Sequence, residues 1–446
     1  MRLRLALAVV VASIAGVMSV PASAAGLAEQ PPDGPSSGPA VSADGRWIAF
    51  VSEASNLLGG ETAADPNGVA DVFLVDTLAA TIRLVSSAGA PADGPSSGVD
   101  ISGDGRFVVF ETTATNLLPS DANGPTSDIV LFDAASGSLS LVSRRGVTGV
   151  QGDGDSFAPT ISADGTRIAF GSEASNLVGN DTNGKTDIFV RDLVDGKTTR
   201  ASTNSSDRQG NNASFDAVIA PTGNHVAWSS IASNLVSGDT NGVRDVFMKN
   251  LTSGKTIRVS VTNGERQAKG ASGIEDISAD GRSVVFNSFA ANLVKNDGNN
   301  KGDVFVRDRI EGTTVRASRR GAIEGNGDSF GATISDDGAF VVFQTRATNL
   351  ETSIDGNGSV IDLFEYRVET KTLARVSVDV DGGWTDGVSY GAAFAGDGSA
   401  IAFASAATDL VADDVDGLDD VFVHTWTDRE RVGRVTARWS RVLPVA

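Results

Sequence analysis

Asp181-Thr182-Asn183-Gly184-Lys185-Thr186-Asp187 runs directly into the apolar segment Ile188-Phe189-Val190. The pattern is Asp-x-Asn-Gly-x-x-Asp followed by a strand-like run. It recurs at Asp65–Asp71, Asp121–Asp128, Asp239–Asp245, Asp297–Asp303, Asp355–Asp362 and Asp414–Asp420. Self-similarity at a fixed period decides a fold before any local propensity does.

The rest of the unit follows outward from this stretch. An Asp-Gly or Thr-Gly turn falls at Asp44, Asp104, Asp164, Thr222, Asp280, Asp337 and Asp397, at spacings of 57 to 60 residues. That makes seven units and leaves no room for an eighth. Asp-Gly between apolar runs is a hairpin signal, with both turn residues expected at positive φ. The run after it ends in a large aromatic: Phe50, Phe110, Phe170, Trp228, Phe286, Phe343 and Phe403. The run after the acidic stretch carries Phe73, Phe189, Phe247, Phe305, Phe364 and Phe422, with Val130 as the exception. A last polar turn, such as Ser253-Gly254-Lys255, leads to a fourth short run. Each unit therefore reads as four short antiparallel strands, and helical periodicity is essentially absent. Separate sandwiches need more residues than one unit offers, and a β-helix needs a shorter repeat. The expected fold is all-β, a single seven-bladed β-propeller with four antiparallel strands per blade.

Ser162-Ala163-Asp164-Gly165 with Ile168-Ala169-Phe170, followed by Asp187-Ile188-Phe189-Val190 and Asp192, resembles the TolB-type, WD40-like propeller repeat of exported bacterial proteins. The resemblance covers about residues 34–437. It implies fold far more than function, because such repeats serve binding proteins, peptidase side domains and some lyases. Ala163 stands where that family usually has Pro.

The ends carry their own signals. Met1-Arg2-Leu3-Arg4, the uncharged apolar run Leu5–Val20 and Ala22-Ser23-Ala24 have the layout of a secretory signal peptide. The run is short against the roughly 20 residues of a spanning helix. The expected organisation is a cleaved signal peptide over 1–24, the propeller over 25–438 and a tail over 439–446. The mature chain is then secreted, extracellular or periplasmic, with no membrane span. The fourth strand of the last unit is expected from Arg431–Arg438, unless Gly26–Pro32 completes a blade and closes the ring. The end from Arg429 holds five Arg and Trp439.

Composition narrows the partners. The 446 residues carry a formal charge of −20, two His and no Cys. Nucleic acid needs clustered cations, so it is not expected. Disulfides, thiolate catalysis and Cys-zinc sites are excluded.

Two readings compete for the acidic stretch. Hard cations take six to eight oxygens from carboxylates, amides and carbonyls. The candidate Ca²⁺ ligands are Asp65, Asn67 and Asp71; Asp121, Asn123 and Asp128; Asp181, Asn183 and Asp187; Asp239, Asn241 and Asp245; Asp297, Asn299 and Asp303; Asp355, Asn357 and Asp362; and Asp414, Asp416 and Asp420. The stretch is not an EF-hand, since Gly sits at its fourth position and no Glu follows at the twelfth. The other reading is architectural, because Asp and Asn bond their own backbone in turns. Ca²⁺ is the one cofactor the sequence suggests.

Gly34–Gly38, Gly94–Gly98, Gly327–Gly331 and Gly387–Gly391 fit G-x-S-x-G, which marks a hydrolase nucleophile only on a strand-to-helix elbow with a His partner. Here the motif precedes a strand and repeats, and His225 and His424 cannot serve four sites. The Asn of Ala174-Ser175-Asn176-Leu177 also repeats, and a turn-closing role is expected.

Function in a pseudo-symmetric ring belongs where symmetry breaks. Phe157, Phe215, Phe330, Trp384 and Tyr390 vary in the loops that share a face with the acidic stretches, and are candidates for a ligand-binding face. The expected function is a monomeric binding or scaffold module, not an enzyme, for an extracellular or envelope protein, peptide or glycan. The alternatives are a propeller stabilised by Ca²⁺, or a polysaccharide lyase or hydrolase.

Overall fold

The computed structural model describes residues 32–58, 67–147, 149–411, 414 and 416–426, and the backbone of 438–441. The expected signal peptide lies outside them. Among the described residues there is no helix, and none is therefore long and apolar enough to cross a membrane. These residues form seven four-stranded antiparallel sheets in chain order, and a small hairpin of Arg319–Arg320 with Ile323–Glu324 lies between blades five and six. In the third blade the strands are Ser156–Ile161, Arg167–Ser172, Asp187–Asp192 and Lys197–Arg200.

Burial follows position in the blade. Ile188, Phe189 and Val190 of the third strand are buried on both faces, because neighbouring blades cover both sides of the sheet. The fourth strand is four residues long, alternates exposed and covered, and ends in charge, as an outer edge should. The recurring aromatics meet across the two central strands. Phe170 pairs with Phe189 at 5.9 Å between ring centroids, Phe286 with Phe305 at 5.6 Å, and Trp228 with Phe247 at 6.2 Å. Such a stack contributes about 0.5–1.5 kcal/mol beyond its buried area.

The ring closes by a repeated main-chain bond. The N–H of the first Ser of each blade donates to the carbonyl just before the third strand of the preceding blade. Ser156 reaches Ser127 at 2.8 Å and Ser214 reaches Thr186 at 2.9 Å. Ser36 reaches Asp419 at 2.6 Å and so joins blade one to blade seven. The fourth strand of blade seven is Arg438–Arg441, which pairs with Asp420–Thr425. This corrects the expected source, Arg431–Arg438, and moves Trp439, Ser440 and Arg441 from the tail into the propeller. Of the alternative source, Gly26–Pro32, residues 26–31 lie outside the described residues.

The Asp-Gly turn also differs from expectation. Only the glycine is left-handed, as at Gly45 (φ 73°) and Gly105 (φ 72°). Ser42 N–H donates to the Trp47 carbonyl at 2.9 Å, so the loop has four residues rather than two. The aspartate is held by its side chain instead: Asp44 Oδ1 accepts from Ser42 Oγ at 2.7 Å and from Arg46 N–H at 3.0 Å. The turn glycine also meets the preceding blade, since a Cβ on Gly105 would lie 2.1 Å from the Trp47 ring.

Candidate functional site

The closing Asp of each acidic stretch is buried. In blade three, Asp187 Oδ1 accepts from Ser202 Oγ at 2.5 Å, and Ser202 Oγ in turn accepts the Ile188 N–H at 3.1 Å. Asn183 Nδ2 donates to Asp187 Oδ2 at 3.1 Å and to the Gly210 carbonyl at 3.0 Å. One amide thus ties the loop both to its own strand and to the next loop. The same Ser–Asp contact occurs at Ser86–Asp71, Ser143–Asp128, Ser260–Asp245, Ser318–Asp303 and Ser377–Asp362. Asn67, Asn123, Asn241, Asn299 and Asn357 repeat the carbonyl contact. The residue after that Asn is left-handed, as in Gly184 (φ 59°), and Asn300 takes the place in blade five at φ 56°. In blades one to six these bonds tie the loop into the fold.

The first Asp of the stretch is where the blades part. In blades three, four and five an arginine from the fourth strand lies between the two carboxylates. Arg200 Nη1 is 3.3 Å from Asp181 and 3.0 Å from Asp187. Arg258 is 3.2 Å from Asp239 and 3.1 Å from Asp245. Arg316 is 3.3 Å from Asp297 and 3.0 Å from Asp303. Burial nevertheless raises Asp181, Asp239, Asp297 and Asp303 above the usual carboxylate range, because it outweighs the nearby guanidinium. These three candidate metal sites already hold a cation of the protein's own.

In blade two an amide takes that place. Gln151 Nε2 donates to Asp121 Oδ1 at 3.0 Å, Asn123 Oδ1 at 2.6 Å and Asp128 Oδ2 at 2.5 Å. In blade one, Asn67 donates to Asp71 at 2.5 Å, and Asp65 lies outside the described residues. In blade six, Arg375 stacks on Trp384, 3.7 Å from the ring centroid, and Asp355 accepts the N–H groups of Asn357 and Gly358. Asp362 there is pushed up to about 6 by burial, helped by the charge of Asp355. In blade seven the ligand atoms of Asp414, Asp416 and Asp420 lie within 4.8 Å of one another. Among the described residues this is the acidic group that could hold a metal ion. Arg441 pairs in register with Phe422, as Arg200 does with Phe189.

The candidate ligand-binding residues separate into two sets. Phe157, Phe215, Phe330 and Tyr390 follow the repeated Ser at the start of the innermost strand, and all are half-buried. Tyr390 donates its hydroxyl to Asp419 Oδ2 at 2.8 Å, and burial with that bond raises its pKa. Trp384 does not belong with them. It pairs with Val378 and packs on the blade-six core, tilted against Phe364 at 6.5 Å. Its place in the loop is that of Gln151 and Gln209, beside the acidic stretch, because it lies seven residues after Ser377 as Gln209 does after Ser202.

The G-x-S-x-G serines are structural. Ser36, Ser96, Ser329 and Ser389 are buried and bond the facing hydroxyls of Ser52, Thr112, Thr345 and Ser405. The second glycine forms a bulge at positive φ, as at Gly38 and Gly391. The first approaches main chain so closely that a Cβ on Gly387 would lie 2.6 Å from Ala407 N.

Sequence reading missed the carboxylates of the innermost strands. Asp100 accepts the N–H of Ile101 and, across to the next blade, that of Ile161 at 2.7 Å. Asp276 does the same with Ile277 and Ile334, and Thr333 Oγ1 adds a third bond at 2.8 Å. Glu275 accepts from Asn287, Gly331 and Ala332. Burial pushes Asp100 and Glu275 up to about 7 and Asp336 up to about 6. Asp100 and Asp276 repel one another, as do Asp276 and Asp336. The signal was available: Asp100 and Asp276 occupy a position held elsewhere by Ala40, Thr160, Val218, Thr333 and Ala393.

No family model matches the chain, and no curated protein matches it. Solved structures do. An oligogalacturonate lyase from Vibrio parahaemolyticus is 12% identical, with a TM-score of 0.53 over 90% of this chain and 93% of that one. A prolyl endopeptidase structure is 10% identical, with a TM-score of 0.55 over 93% of this chain and 50% of that one. TolB from Agrobacterium tumefaciens is 14% identical, with a TM-score of 0.40 over 68% of this chain and 87% of that one. TolB is thus among the structures to which this propeller is similar. At these identities the likeness is one of fold.

Proposed function

We propose that the chain is an exported, monomeric binding or scaffold propeller that takes its ligand on the face where the innermost strands begin. The observation that supports this is the single register position of Phe157, Phe215, Phe330 and Tyr390. Four half-exposed rings at one position of a rigid ring, varying between blades, suit a peptide, protein loop or glycan. Asp216 and Arg244, 3.7 Å apart and partly exposed, add polar contacts nearby. The test is a glycan array together with pull-down from envelope extracts, run with the full chain and with a Phe157→Ala, Phe215→Ala, Phe330→Ala variant. A captured ligand lost in the variant, at unchanged melting temperature, supports the reading. Blank arrays and pull-downs, or a ligand indifferent to the variant, overturn it.

A second reading concerns Ca²⁺. We propose that the blade-seven loop binds it through Asp414, Asp416 and Asp420, whose clustered oxygens suit a hard cation. Blades three to five are excluded from this reading because arginine stands between their carboxylates. A melting temperature that rises with Ca²⁺, falls with chelator and loses both responses in Asp416→Asn supports the site. Equal melting temperatures with Ca²⁺ and chelator overturn it.

A further inference from the structure

The turn after the second strand is closed by the same side chain in blade after blade. Asn176 Oδ1 accepts the Asp153 N–H at 3.2 Å, while its Nδ2 donates to the Gln151 carbonyl at 2.9 Å. Asn116, Asn234, Asn292 and Asn349 make the same two bonds. In blade seven the residue is Asp409. One of its oxygens keeps the first bond, since the Asp386 N–H donates to Oδ2 at 3.0 Å. The other, Oδ1, is buried with no donor. By register it stands where the amide nitrogen stands in the other blades, opposite the carbonyl of Trp384. That carbonyl lies two residues before Asp386, as Gln151 lies two before Asp153. An ionised carboxylate there sets oxygen against oxygen, and a buried acceptor without a donor is costly.

We propose that Asp409 is a proton-operated latch on the loop Asp379–Gly387: protonated, it donates as the asparagines do and holds the loop; ionised, it releases it. The charged groups that bear on it are both acidic. Asp386 lies in the loop itself, with its carboxylate engaged by Thr408 N–H at 2.8 Å and Thr408 Oγ1 at 2.6 Å. Asp379 lies at the start of the loop. Burial first, then the charges of Asp386 and Asp379, raise the Asp409 pKa, whereas Asp386 is lowered, so Asp409 is the one that takes the proton. Arg375 makes no ion pair with Asp409, being stacked on Trp384 with its Nε 3.7 Å from Glu351. The main chain adds one bond that ionisation does not break, from Val380 N–H to the Asp409 carbonyl at 3.2 Å.

The loop covers the acidic stretch of blade six. The Thr385 carbonyl accepts from Asn357 at 2.9 Å, and a Cβ on Gly356 would touch Trp384 at 3.1 Å. Releasing it loosens that cover at one point of the rim. Because the folded pKa is raised, the stabilising contribution is complete below the unfolded value and is lost as pH rises through the folded value.

The test compares the full chain with Asp409→Asn, which installs the residue the other blades use. The melting temperatures of the two should agree near pH 4, and the variant should be several degrees higher at pH 8. Hydrogen exchange in Asp379–Gly387, corrected for intrinsic rate, should rise with pH in the parent and not in the variant. The reverse change, Asn292→Asp, should give Thr262–Lys269 the same pH-dependent exchange. A difference between parent and Asp409→Asn that is constant across pH, or an Asn292→Asp loop whose exchange ignores pH, overturns the latch.

Discussion

Arg316 Nη1 lies 3.0 Å from Asp303 Oδ2, and the two side chains are 3% and 1% exposed. The same nitrogen is 3.3 Å from Asp297, so one buried guanidinium serves two carboxylates, and Glu324 takes its other nitrogen at 3.0 Å. Removing one partner of a buried pair leaves charge without compensation. Arg316→Ala should therefore cost about 3–5 kcal/mol, read as a lower urea midpoint at unchanged slope. The loss should shrink as the pH falls, because burial raises Asp297 and Asp303 and lets them take up protons above the ordinary carboxylate value. An unchanged midpoint at pH 7 would show that the acidic loop tolerates two unpaired charges.

Two glycines at similar φ separate backbone strain from packing. A Cβ added at Gly124 (φ 69°) would meet nothing within 4 Å, while one at Gly105 (φ 72°) would lie 2.1 Å from the Trp47 ring. Gly124→Ala should cost about 1 kcal/mol, the left-handed penalty alone. Gly105→Ala should cost that and a further ~1–3 kcal/mol for overpacking at the junction of blades one and two. Thermal melts of both variants decide it, and equal losses would rule out the ring contact.

The ring itself was legible in the sequence, and the reason is physical. Each blade must bury a third strand such as Asp187–Asp192 on both faces, so the apolar run and its aromatic recur with the period of the unit. The Ser and Gly of G-x-S-x-G were legible as architecture for the same reason, and Gly38 shows why: a bulge needs positive φ. The acidic stretch was only half legible. Its Asp and Asn pointed equally to oxygen ligands and to turn bonds, and the deciding partner, Arg200, lies in another strand with no local signature. That Trp384 packs on the blade-six core beside Arg375, at another register position than Phe157, was not legible, because a single tryptophan in a variable loop does not reveal which side of the loop it faces. Asp100 and Asp276 required aligning all seven units at a position whose other residues are small or apolar.

Those inner carboxylates make stability depend on pH in a set direction. Glu275 and Asp100 are pushed up to about 7 in the fold, against ordinary values near about 4 in the unfolded chain. Between about pH 4 and 7 the folded state therefore binds more protons than the unfolded one, and stability falls as pH rises. Chemical denaturation from about pH 4.5 to 8 should show this decline. Glu275→Gln should flatten part of it, whatever it does to stability at any one pH. An identical slope in the variant would mean that Glu275 is already ionised throughout that range.

The last blade offers the sharpest test of how the ring is closed. Arg438–Arg441 pairs with Asp420–Thr425 and is the outer strand of blade seven, while Ser36 N–H reaches the Asp419 carbonyl on the inner side of that blade. Ending the chain after residue 437 would leave Asp420–Thr425 as an unpaired edge, and such edges invite pairing with other chains. The truncated protein should melt several degrees lower and should associate with rising concentration. Adding back a peptide of residues 438–446 should restore part of the melting temperature. A truncated chain that melts with the full protein and stays monomeric would show that the inner-strand bonds alone hold blade seven in the ring.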